Sequence, residues 1–414
     1  MRFSRSAICS LFGLLVLPVC LGSAFAQQER QYNFDGANGS TPEGGLVVDA
    51  AGNFYGSTYL GGSSKLGVAY KLSPAPGGEV TEIVLHSFTG SGTNGDGADP
   101  VGDLVFDSAG NLYGVTQFGG AFDMGTVFEL SPPSVQGGEW TEAVLYSFQG
   151  TPSDGSQPVA GLVLDGVGNL YGTTSQGGVD NAACSGNGGC GTVFELSPPA
   201  APGGAWTETV IYFFQGSSDG NEPLGGVVFD PAGNLYGTTS FGGEVNGLMT
   251  NSGVVFELSP QSGAGWTETL IYTFSGTPDG GNPHAGLALA PNGSLFGTTV
   301  GGGQSGQGSA YRLKPPSVQG GPWAYNILHN FTDREGNPRA AVTVVNSQLY
   351  GTTFGGGGGG FVFEISSTNE YKQLYQFNGE AYSVARLTLY NAHLYGTTIR
   401  GGYKFDGAAF QLRP

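Results

Sequence analysis

Basic residues are scarce in this chain. Only 14 of its 414 residues are Lys or Arg, and none falls between Lys71 and Arg312. Against 32 Asp and Glu the formal charge is −18. Such a surface repels phosphate backbones, which argues against nucleic acid and anionic bilayers as partners. Cysteine is rarer still. Of the four, Cys9 and Cys20 precede the mature domain, which leaves Cys184 and Cys190 in a Gly/Asn-rich loop. Two neighbouring cysteines in an exported chain are expected to form a local disulfide. No His lies near them to complete a zinc site. Beyond residue 26 no run is apolar enough to span a bilayer.

The one long apolar run, Ile8 to Leu21, follows Arg2 and Arg5 and precedes Ala24-Phe25-Ala26. That order predicts a secretory signal over residues 1–26 and a mature domain over 27–414. A lipoprotein site at Cys20 would need a small residue where Val19 stands. The expected location is secreted or cell-surface.

What the chain has in abundance is glycine, 77 residues, and aromatics, with 26 Phe, 19 Tyr and 4 Trp. Both recur in register. A motif of the form Asn-Leu-Tyr-Gly-Thr-Thr returns seven times, with its central aromatic at Tyr55, Tyr113, Tyr171, Tyr236, Phe296, Tyr350 and Tyr395. A period of this length marks one supersecondary unit repeated. The third copy shows the unit. Residues 161–165 are a short apolar strand, and 165–169 are a turn whose Asp can bond the backbone amides. Strands follow at 170–174, 191–196 and 206–214, separated by a Gly-rich loop and by Ser197-Pro198-Pro199.

Four strands per unit predict an all-β fold: a seven-bladed β-propeller. The last unit lacks a fourth strand, and a spare one stands just after the leader, Gln31 to Gly36, matching Leu374 to Gly379. The expectation is that this N-terminal strand completes the last blade and closes the ring, removing an exposed edge.

The unit resembles the Gloeo/Verruco tandem repeat of bacterial exported proteins, most clearly over Asp107 to Thr116, Asp165 to Thr174 and Asp230 to Thr239. The likeness covers essentially the whole mature chain. It implies export and a repeat fold, and no activity. Copies six and seven depart from it at Val345-Asn346-Ser347-Gln348 and Tyr390-Asn391-Ala392-His393. The Asp-x-x-Gly-Asn turn is also similar to turns of NHL-type propellers.

Several features read first as structure. Asp49, Asp107, Asp165 and Asp230 are expected to fix hairpin turns. Trp140, Trp206, Trp266 and Trp323 are expected to pack on a neighbouring blade, and stacking on sugars is the alternative. His86 and His329 stand where other copies have Tyr, as packing variants, and no two His share a metal spacing.

Function is expected on the face shared by the blade-to-blade connections and the second-to-third-strand loops, including residues 181–191 and 244–252. The connections carry Asp35, Asp96, Asp99, Asp154, Asp219, Glu222 and Asp279, the candidate ligand-binding residues. No cofactor is implied, although Asn94, Asp96, Asp99 and Asp103 offer oxygens that would suit calcium. The expected role is a binding module for an extracellular glycan or protein. The alternative is a glycan hydrolase or lyase in which two carboxylates such as Asp99 and Asp154 act as acid and base.

Overall fold

The computed structural model describes residues 27–414, apart from single positions 76, 94, 136, 185, 187, 202, 264, 319 and 380. The predicted signal segment and Asn94 lie outside the described residues.

The fold is all-β: seven four-stranded antiparallel blades arranged as a propeller. In the third blade the strands run Val163–Leu164, Leu170–Thr174, Thr192–Ser197 and Thr207–Phe213, paired in that order. The first strand is shorter than the apolar run predicts. Its start is taken up by backbone crowding at the hub, where a Cβ on Gly161 would stand 2.8 Å from the Asp103 carbonyl. The same crowding recurs at Gly44, where an added Cβ would stand 2.1 Å from the Gly102 carbonyl oxygen, and at Gly225 beside Ala285. The seventh blade holds Thr388–Tyr390, His393–Thr398, Ala408–Arg413 and, as its fourth strand, Gln27–Asn33.

The repeated motif now has a physical account. Tyr171 and Leu170 lie in a buried second strand. Gly172 pairs with Phe194 across the blade, and the Phe ring covers it; an added Cβ would stand 2.7 Å from Phe194 Cζ. Thr173 donates to the Gly225 carbonyl of the fourth blade, and Thr238, Thr298 and Thr397 make the equivalent bond to their own neighbours. Asp165 accepts from the Val167, Gly168 and Asn169 amides through Oδ1, and from Asn169 Nδ2 and the Tyr171 hydroxyl through Oδ2. Turn chemistry is thus what the repeated Asp does here.

Blades meet through aromatic rings. The Phe after each fourth strand sits edge-to-face on a third-strand ring of the next blade. The pairs are Phe34–Tyr70, Phe88–Phe128, Phe148–Phe194, Phe214–Phe256, Phe274–Tyr311, Phe331–Phe363 and Phe377–Phe410, with centroids 4.9–5.2 Å apart. Each such pair adds about 1 kcal/mol beyond the area it buries. The four Trp do the same near the opposite face. Trp206 lies 6.1 Å from Tyr113 of the preceding blade, and Trp140, Trp266 and Trp323 repeat the contact.

Candidate functional site at the propeller mouth

The connections and the second-to-third-strand loops share one face, because isolated bridges join them: Ser40 to Leu60, Asn221 to Phe241, Gly281 to Gly301 and Asn337 to Phe354. Cys184 and Cys190 form a disulfide in this layer, fully buried against Phe214. The Cys190 carbonyl accepts from the Glu222 amide, which ties the loop to the next connection. Thr41, Asp99, Gln157, Glu222 and Asn282 each precede a Pro and take positive φ values of 51–59°. Each therefore turns the chain sharply toward the hub.

The residue after the connection Pro, counting Pro338 as well, is Val101, Val159 or Leu224 in three blades. In three others it is Glu43, His284 or Arg339. These exceptions build two half-buried polar groups at the mouth. On one side Glu43 is pushed up to about 7 by burial and by the charge of Asp99. Tyr59 lies against both and is pushed up to about 12, by burial first and then by those charges. Burial also raises Asp99. On the other side Arg339 covers the Phe354 ring at 4.0 Å, and Phe354 stacks on Tyr382 at 4.7 Å. His284 is lowered to about 4 by burial and by the Arg339 charge, so it is neutral at pH 7. Asp99 Oδ1, Asn337 Oδ1 and Arg339 Nε are buried without a hydrogen-bond partner in the protein. Buried polar atoms are normally paired, so each of these calls for a partner such as water, an ion or a ligand group.

The seven sequence-predicted residues divide. Asp99 and Glu222 stand in the pre-proline ring of the mouth. Asp96, Asp154, Asp219 and Asp279 occupy one equivalent place, each in a gap between two blades, whereas Asp35 directly follows Phe34 and is exposed. Asp35 accepts from the Ala37 and Asn38 amides. Asp96 accepts from Thr89 and Gly90, with Oδ2 2.9 Å from His86 Nε2. Asp154, Asp219 and Asp279 accept from the Tyr146, Tyr212 and Tyr272 hydroxyls and from nearby backbone amides. Asp103 points elsewhere again, accepting from Gly45 N and pairing with Arg386 at 3.0 Å. Asp96, Asp99 and Asp103 therefore have separate partners.

The gaps hold a second carboxylate that sequence reasoning missed. Glu82, Glu142, Glu208 and Glu268, from the Trp-Thr-Glu segment or its counterpart in the next blade, each bury an Oε1 with no partner in the protein. Burial, and then the Asp154 charge, raises Glu208 to about 8, and burial chiefly raises the other three to about 7. In the next two gaps Tyr325 and Tyr371 replace the Glu and stack on Tyr272 and His329 at 4.1 and 3.8 Å. Among the described residues no helix is long and apolar enough to cross a membrane.

Residues 22–184 and 181–410 match the Gloeobacter/Verrucomicrobia repeat model. No curated protein sequence matches the chain. Among solved structures it is similar to streptogramin B lyase, with TM-score 0.52 and 13% identity over 94% of this chain and 97% of that one. Puromycin hydrolase gives 0.51 at 12% identity over 91% of this chain, which spans about half (53%) of that protein. The polysaccharide lyase Uly1 gives 0.50 at 11%, over 94% and 92%. At these identities the likeness is one of fold.

Proposed function

The chain belongs to the Gloeobacter/Verrucomicrobia repeat family, and from that premise we propose an exported propeller whose mouth binds an extracellular glycan. The observation that carries this is the Arg339–Phe354–Tyr382 stack beside buried, unpartnered polar atoms. Sugars offer apolar ring faces to aromatics and hydroxyls to exactly such orphan donors and acceptors. Many of the chain's aromatics are spent between blades, whereas this stack sits in the loop layer, which also exposes Tyr403 and Phe405. Glycan-array binding tests it. Phe354→Ala and Arg339→Ala should each weaken binding at least about tenfold, the usual effect of losing one anchor. Replacing the 181–189 and 244–251 loops by short turns maps how far the surface extends. Binding that survives both point substitutions removes the mouth from the model.

A second reading, a lyase acting on uronate-containing glycans, draws on one observation: neutral His284 beside Arg339. A neutral imidazole can take a proton from the carbon next to a carboxylate while a guanidinium offsets the charge that develops. Incubation with uronate polymers, followed by the ultraviolet absorbance of an unsaturated product, separates the readings. No absorbance rise leaves binding alone.

A further inference from the structure

We propose that the gap between the first and second blades is a zinc site, with His86, Asp96 and Glu142 as its protein ligands. A nitrogen of His86 and one oxygen from each carboxylate all lie within 4.8 Å of one another, the one such trio among the described residues. Bonds of about 2.0–2.2 Å in tetrahedral array set ligand atoms roughly 3.5 Å apart, so the 2.9 Å His86–Asp96 hydrogen bond must open slightly while any wider separation closes to complete the site. One imidazole and two carboxylates leave a fourth position for water.

The ligands are held in advance. Asp96 Oδ1 is occupied by the Thr89 amide, the Thr89 hydroxyl and the Gly90 amide, which aims Oδ2 at the imidazole, 2.9 Å from His86 Nε2. Phe88 packs edge-on to the His86 ring at 4.8 Å and fixes its plane. Outer contacts of this kind orient metal ligands and raise affinity. Glu142 Oε1 has no protein partner. The His86 and Asp96 side chains keep 21% and 12% exposure, so an ion can reach them.

The comparison between gaps carries the assignment. The orphan Glu oxygen recurs at Glu208 and Glu268, where Tyr146 and Tyr212 supply a phenol. A phenol O–H satisfies the Asp as a donor, whereas a neutral imidazole nitrogen is a first-rank zinc ligand. His329 also replaces the Tyr, but its third neighbour is the stacked Tyr371, and no trio forms there. His329 meets Glu335 at 3.2 Å, but among the described residues only the gap between the first and second blades brings an imidazole together with two carboxylates.

Metal-stripped, untagged protein titrated with zinc chloride in a calorimeter tests the site. One equivalent should bind, with a rise in melting temperature. His86→Tyr installs the residue of the other gaps and so should fold; it should weaken zinc binding by more than about 100-fold, beyond the cost of losing an outer contact. Glu142→Gln should weaken it too, and His329→Tyr should leave it unchanged. No stoichiometric zinc, or equal binding by His86→Tyr, overturns the proposal. So does calcium held in preference to zinc.

Discussion

Two sets of repeated carboxylates run around this propeller and have opposite surroundings. The hairpin aspartates, such as Asp49 and Asp165, lie in exposed turns and take four or five hydrogen bonds each. For Asp49, bonds from Asn53, Tyr55 and Ala51 outweigh partial burial and lower it below the ordinary value. The gap glutamates lie between blades with one oxygen unpaired and are raised to about 7–8. The repeat thus spaces like charges evenly while the neighbouring blade decides what each charge costs. At Asp49 the carboxylate that bonds its own turn is stabilised as an anion. One buried beside the Asp of the preceding connection favours the proton.

The largest break in this comparison should come from the hairpin side. Asp165→Ala removes the acceptor for five donors and should cost about 2–3 kcal/mol in urea unfolding, since several buried or turn donors lose their partner together. A cost below about 0.5 kcal/mol would mean that water replaces the carboxylate freely.

The gap side should show itself in pH. Folded Glu208 holds its proton up to about 8, whereas an ordinary glutamate releases it near 4.5. The folded chain therefore binds more protons than the unfolded chain between those values. Its stability is greatest at the acidic end of that window and is lost as pH rises through it. Glu82, Glu142 and Glu268 act in the same direction. Replacing all four by Gln should flatten melting temperature against pH across the window; an unchanged slope would place the source elsewhere, with Glu43 as the next group to test. The smallest effect should come from Tyr146→Phe. It removes one hydroxyl bond to Asp154, which keeps its bonds from Gln149 and Gly155, so about 1 kcal/mol is expected.

The blades were legible in the sequence because strand, turn and glycine positions repeat together. Gly172 under Phe194 is one case, and Asp165 locking its own turn is another. The mouth was not legible by the same route, since a repeat-based reading averages away what occurs once. Glu43, His284 and Arg339 each follow a connection Pro at a place that is Val or Leu in other copies. That departure was the available signal. The gap glutamates were hidden for a different reason. Glu142 looks like an exposed strand residue until the preceding blade lays His86 and Asp96 beside it, a juxtaposition that spans about 50 residues of chain and one blade boundary.

The edge-on Phe contact is nearly identical at all seven blade boundaries. Such a standard joint makes modules exchangeable. A blade bearing an unusual side chain, His86 in one case or Arg339 in another, docks on the same coupling as its plainer siblings. Chemical novelty can then be installed one segment at a time without retooling the frame.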